Sequence, residues 1–110
     1  MMRIRIVSPD SRPEDAGCSV TVQVRDTSLA DVVHPVVAEA RALFPDDVGV
    51  PFDVMIELPT ERTHGHHYGV WAHLDHTGDG AIGAGDLITT QSFPVDLSRD
   101  DFVEIRLSRV

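Results

Sequence analysis

Five stretches of this chain place apolar side chains at every second residue, and that period constrains the fold more than any other feature. In Tyr68-Gly-Val-Trp-Ala-His-Leu74, the side chains of Tyr68, Val70, Ala72 and Leu74 fall on one face, and Gly69, Trp71 and His73 on the other. Residues 2–7 and 20–25 alternate in the same way, the latter with three valines facing one side. Residues 51–58 align Phe52, Val54, Ile56 and Leu58, and residues 102–107 align Val103, Ile105 and Leu107. A strand shows successive side chains to opposite faces, so each stretch reads as a strand with one buried side. Residues 86–95 are rich in β-branched and aromatic types and stop near Pro94. Turn-forming stretches at 9–17, 44–49, 59–65 and 96–101 separate these segments. The expectation is an all-β chain: an antiparallel β-sandwich of about seven strands, Ig-like or transthyretin-like, with a long acidic strand-loop-strand connection.

One segment disputes the pattern. Between Ser28 and Phe44 the apolar residues Leu29, Val32, Val33, Val36, Val37, Ala40, Leu43 and Phe44 follow helical spacing. Ser28 has the chemistry of an N-cap and Asp31 stands at the capping-box position. Pro35 inside the pattern opposes a helix, because it lacks a backbone donor and clashes with the preceding turn. Periodicity alone leaves residues 32–44 open between strand and helix.

The functional signal lies in Asp75-His-Thr-Gly-Asp-Gly-Ala-Ile-Gly-Ala-Gly-Asp86. As a twelve-residue loop it puts oxygen side chains at positions one, three, five and twelve: Asp75, Thr77, Asp79 and Asp86. Gly80 falls at position six, where an EF-hand loop turns sharply, and the Ala81 carbonyl falls at seven. Ile82, at eight, is the expected apolar anchor. Calcium takes six to eight oxygens, and this spacing lets one segment wrap around it. The loop departs from the usual pattern in carrying Thr at position three and Asp, rather than Glu, at twelve, in which it resembles the dockerin variety. The competing reading is a metal-free hairpin connection, with glycines serving positive φ and aspartates facing water. Strands rather than helices flank the loop, so the expected calcium site is static and has no helix pair to swing open.

Composition narrows the function classes. At 110 residues the chain reads as one domain, 1–110, large enough to bury a modest core. The formal net charge of −9, with all nine basic residues arginine, repels phosphate backbones and argues against a nucleic-acid partner. No apolar run is long enough to span a membrane or to serve as a signal peptide. The sequence as it stands therefore reads as cytoplasmic, or as extracytoplasmic if a leader precedes it. Cys18 is the only cysteine, so no internal disulfide forms. Ala16-Gly17-Cys18 matches the end of a lipobox, but the apolar stretch before it is missing.

The histidines and the remaining polar residues offer other candidate chemistry. His64, His66 and His67 have the spacing of a zinc, copper or nickel site, against the simpler reading of exposed loop histidines. His73 and His76 bracket the acidic loop as bystanders, since calcium prefers oxygen. No Ser elbow, phosphate-cradling loop or local Cys–His pairing is present, and Asp46 and Asp47 are adjacent and point apart, so an enzyme is not expected. Trp71 lies opposite the apolar face of its strand, where either a second sheet covers it or it anchors a partner.

The chain resembles the type III secretion pilotin lipoproteins and their bacterial lipoprotein relatives. The resemblance rests on Thr21-Val-Gln-Val-Arg-Asp-Thr-Ser-Leu-Ala-Asp31, Val36-Val-Ala-Glu-Ala40 and Val50-Pro-Phe-Asp-Val-Met-Ile-Glu-Leu58. It continues through Tyr68–Leu74, Thr89-Thr-Gln-Ser-Phe-Pro-Val95 and Val103-Glu-Ile-Arg-Leu107, covering residues 20–107 in colinear order. It implies a compact β-sandwich, a strand over residues 36–43, and a protein partner in the assembly of a secretion pore. Two family features are missing: the lipidated cysteine with its secretion signal, and a short Asp-Gly turn where this chain has the loop 75–86. The combined expectation is a non-enzymatic binding or structural module with one calcium loop. The alternatives are a metal-free interaction domain and a histidine-dependent metal protein.

Overall fold

The structure, a computed structural model, describes residues 1–27, 36–47, 49–58, 67–78, 80–91, 93–96 and 101–110. Its described strands are β1 (Met2–Val7), β2 (Ser19–Asp26), β3 (Val36–Leu43), β4 (Phe52–Ile56), β5 (Tyr68–Asp75), β6 (Leu87–Thr89), β7 (Pro94–Val95) and β8 (Phe102–Arg109). A 3-10 turn, Pro13–Asp15, leads into β2. The alternating segments are strands, as their period required. Residues 36–43 are also a strand, paired with β2 from Ser19↔Leu43 to Arg25↔Val36. The Ser28 and Asp31 helix signals, and Pro35, lie outside the described residues.

These strands form one continuous sheet in the order β3-β2-β5-β6-β8-β1-β4, with β7 beside the start of β5. The joint is β8. Its residues 102–106 run parallel to β1, from Arg3↔Phe102 to Val7↔Arg106. Its last residues pair antiparallel with β6, from Thr89↔Leu107 to Leu87↔Arg109. The sheet thereby folds over on itself, and its end strands β3 and β4 approach one another. Phe44 and Phe52 close that corner edge-to-face, with ring centroids 5.2 Å apart.

Two expectations are corrected here. The separate antiparallel sheets of an Ig-like or transthyretin-like sandwich give way to a single, nearly closed sheet, and one of its pairings is parallel. Within the expected strand at 86–95, the described strands are two short pieces, β6 and β7. Alternation fixes which face of a strand is buried. It carries no information about which neighbour pairs or in which direction.

The inward faces meet in one apolar cluster. Ile4, Ile6, Val54, Ile56 and Ile105 come from one half of the sheet, and Val20, Val22, Val24, Val70, Ala72, Leu74 and Leu87 from the other. Every residue assigned inward on β5 by the alternation is buried. Ile4→Ala removes fully buried atoms at the centre and should cost about 2–5 kcal/mol. Met55→Ala on the exposed side of β4 should stay within about 0.5 kcal/mol. Urea unfolding followed by circular dichroism distinguishes them; equal midpoints for the two variants would contradict this packing.

Candidate functional site

Two features share the β5 end of the molecule: the loop at 75–86, and a groove on the outer face of β2, β3 and β5. The loop is closed by two carboxylates that gather donors. Asp75 Oδ1 accepts from the Thr77 N–H at 3.1 Å, the Thr77 hydroxyl at 3.1 Å and the Gly78 N–H at 3.0 Å, and Oδ2 accepts from the Gly80 N–H at 2.7 Å. Gly78 and Gly80 have φ of 74° and 76°, which turns their N–H groups inward at no steric cost. The Gly80 hydrogen bond, with those of Gly78 and Thr77, lowers the Asp75 pKa against the opposing effect of desolvation.

Asp86 is fully buried. Its Oδ1 accepts from the His76 N–H at 3.0 Å and its Oδ2 from the Gly83 N–H at 3.0 Å, with His73 Nε2 2.8 Å from Oδ2. Burial opposes its ionisation, but the bonds from His73, His76 and Gly83 carry its pKa below the usual carboxylate value. His73 is only 3% exposed and belongs to this arrangement, so it is not a bystander. One ligand atom each from His73, Asp75 and Asp86 lies within 4.8 Å of the others. Asp79 lies outside the described residues. Ile82 is 51% exposed and so does not anchor the loop. Backbone N–H groups here occupy much of the acceptor capacity that a cation would need.

A buried knot holds the loop to the body of the protein. Asp15 is fully buried and meets Arg109 through both guanidinium ends, at 3.0 and 2.8 Å, and also accepts the Arg12 N–H at 2.7 Å. His76 Nε2 approaches Asp15 Oδ1 at 2.5 Å, and His76 Nδ1 lies 3.4 Å from Cys18 Sγ. Arg109 donates further to the carbonyls of Gly85 and Asp10. His76 is therefore a structural tie between β5 and the 3-10 turn. The order thiol, imidazole, carboxylate matches that of an activated nucleophile. The Cys18 pKa, however, is raised by burial and by the nearby Asp15, Asp86 and Asp75, which keeps the sulfur a neutral thiol. Lipidation at Cys18 would need the chain cleaved just before it, and that would remove β1 from between β8 and β4.

The groove follows from cross-strand register. Rows of outward residues run Leu43–Ser19–Asp75, Arg41–Thr21–His73 and Glu39–Gln23–Trp71 across β3, β2 and β5. Small polar side chains on the middle strand lie between larger ones on the flanks, leaving a depression of about 340 Å3 that ends at Gly78 and Gly80. The second half of the sheet packs against the opposite face, so Trp71 is not covered by it. Arg25 lies over the indole instead, its Cζ 4.2 Å from the ring centroid. No sequence motif marked Asp15, Arg109 or the groove; only the polar phase of residues 19–25 hinted at the last. Of the transition-metal candidates, His64 and His66 lie outside the described residues, while the His67 carbonyl accepts the Thr27 N–H at 2.7 Å.

The carboxylate pKa values set an acid limit. Asp15 is opposed by burial, but Arg109, Arg12 and His76 hold its pKa below the ordinary 3.8. A group whose folded value is depressed stabilises above its unfolded value and loses that contribution as pH falls through the folded one. Asp15 and Asp86 should therefore leave stability unaffected above about pH 5 and withdraw it below about pH 4. Asp15→Asn leaves the Arg109 charge uncompensated and should cost about 3–5 kcal/mol at neutral pH, with a shallower loss in acid. Thermal melts across pH 2–8 for both proteins check this; parallel profiles would show that Asp15 does not titrate with folding.

Comparison with known proteins places this geometry. The profile of YscW, described as type III secretion system lipoprotein chaperone, matches residues 6–107. Comparison with curated proteins finds no match. Among solved structures, an alternative pilotin from the type II secretion system of Vibrio cholerae superposes with a TM-score of 0.76 at 22% identity, covering 99% of this chain and 95% of that one. That likeness establishes the fold. The match over 6–107 establishes the lineage: the chain belongs to the YscW family of type III secretion system lipoprotein chaperones.

Proposed function

We propose that this chain is a non-enzymatic, client-binding domain that docks one component of a secretion system on the outer face of β2, β3 and β5. The groove there is the observation that carries the reading, because it is preformed, bordered by Trp71, and built on paired strands rather than on loops. The family description as a lipoprotein chaperone supports a protein client and a place at the cell envelope. A chaperone of this kind needs a complementary surface and no reacting centre, which suits the neutral thiol of Cys18. A photo-crosslinking residue at Thr21, on the groove floor, should capture a secretion-channel component in the producing cell. The same residue at Arg3, on the other half of the sheet, should not. Capture from position 3 alone, or from neither, would sink the reading.

The convergence of His73, Asp75 and Asp86 favours a second reading, in which the loop also takes calcium. The ligand set is Asp75, Thr77, Asp79, the Ala81 carbonyl and Asp86. Asp75 and Asp86 must give up some of their N–H donors to coordinate an ion, so the affinity is weak, on the order of 10⁻⁴ M. Such a site fills in millimolar extracytoplasmic calcium and stays empty in the cytosol. At a hundredfold excess, about 10 mM, linkage gives about 2.7 kcal/mol of stabilisation. The melting temperature should then rise by roughly 10 °C relative to chelator, and Asp79→Ala should abolish the rise. Superimposable melts would leave residues 75–86 a hydrogen-bonded connection without metal.

A further inference from the structure

Arg25 is a cation held in place with no anion against it among the described residues. Its Nε and Nη2 donate to Gln23 Oε1 at 2.9 and 2.7 Å, and its Cζ lies 4.2 Å from the centroid of the Trp71 ring. Gly69 stands opposite Arg25 on β5, so no side chain obstructs that posture. Among the described residues no carboxylate lies within ion-pair distance of Arg25, although the chain carries eighteen Asp and Glu. The contrast with Arg109 is direct. Asp15 raises the pKa of Arg109, whereas burial alone lowers that of Arg25. A guanidinium has five N–H groups; Gln23 takes two of them, the other three have no partner among the described residues, and Arg25 lines the groove.

On the client-binding reading above, we infer that the groove recognises an extended peptide segment through a side-chain carboxylate seated on Arg25. Gln23 and Trp71 fix the guanidinium plane beforehand, which is the arrangement that two-point recognition of a carboxylate requires. From Arg25 to Ser19 the floor of β2 spans seven residues, about 20 Å at the rise of a strand, the reach of a short extended segment. Glu39 and Asp75 border the same groove. Together with the net charge of −9 they disfavour a polyanion, so one carboxylate among neutral residues fits and a phosphate-rich partner does not.

The test uses fluorescein-labelled octapeptides of Thr and Val, capped at both ends, carrying one Glu, one Gln or one phosphoserine at the same place, with binding read by anisotropy against the full chain. The Glu peptide should bind about tenfold or more tighter than the Gln peptide. Arg25→Gln should erase that preference, and Arg25→Lys should retain part of it. Thr21→Arg, which fills the floor, should block all three peptides. Equal binding of the Glu and Gln peptides, or a preference that survives Arg25→Gln in a variant with an unchanged melting curve, overturns the inference. Tighter binding of the phosphoserine peptide overturns the choice of carboxylate. If the carboxylate preference fails while Thr21 still crosslinks its client, the client-binding reading stands and this inference alone falls.

Discussion

The buried contact between Asp15 and Arg109 is the interaction on which the organisation of the functional end depends. It joins a turn near the start of the chain to its last strand, and through Gly85 and His76 it fixes both stems of the acidic loop. A fully buried carboxylate is tolerated only when its lone pairs are met, and Asp15 meets that condition with Arg12, His76 and both ends of Arg109. Its value lies less in net attraction than in the penalty for breaking it. Because that penalty is a sizeable part of a domain's total stability of roughly 5–15 kcal/mol, the loop stems and the 3-10 turn behave as one unit.

The two carboxylates that bound the loop hold it through backbone donors. Asp75 collects N–H donors from Thr77, Gly78 and Gly80, and Asp86 from His76 and Gly83, so partial positive charges from the backbone stand where an ion could. This arrangement also places Gly78 and Gly80 at the end of the groove. Any change in the loop, whether by a bound ion or by losing one of those donors, therefore alters the boundary of the client surface.

The alternating segments made the strands and their buried faces legible, since Val20, Val22, Val24, Val70, Ala72 and Leu74 could lie nowhere but inside. The parallel partner of β1 was not legible, because strand period is blind to direction. The loop residues Asp75 and Asp86 were visible by their spacing, but their donors were not. His73 was misread because its position on the polar face of β5 hid the fact that Asp86 reaches it from across the loop. Asp15 and Arg109 lie 94 residues apart, and no local pattern links residues so distant. The groove depends on three strands in register, a property of pairing rather than of any one segment.

β8 belongs to both halves of the sheet. Residues 102–109 are the hydrogen-bonded joint between the two halves of the sheet, and Arg3 finds its parallel neighbour at Phe102. Without β8, β4-β1 and β3-β2-β5-β6 share no hydrogen-bonded framework. Contacts so distant along the chain also close slowly. Joining the two halves of the sheet therefore waits on residues 102–109, which makes their docking the slow step expected of this topology.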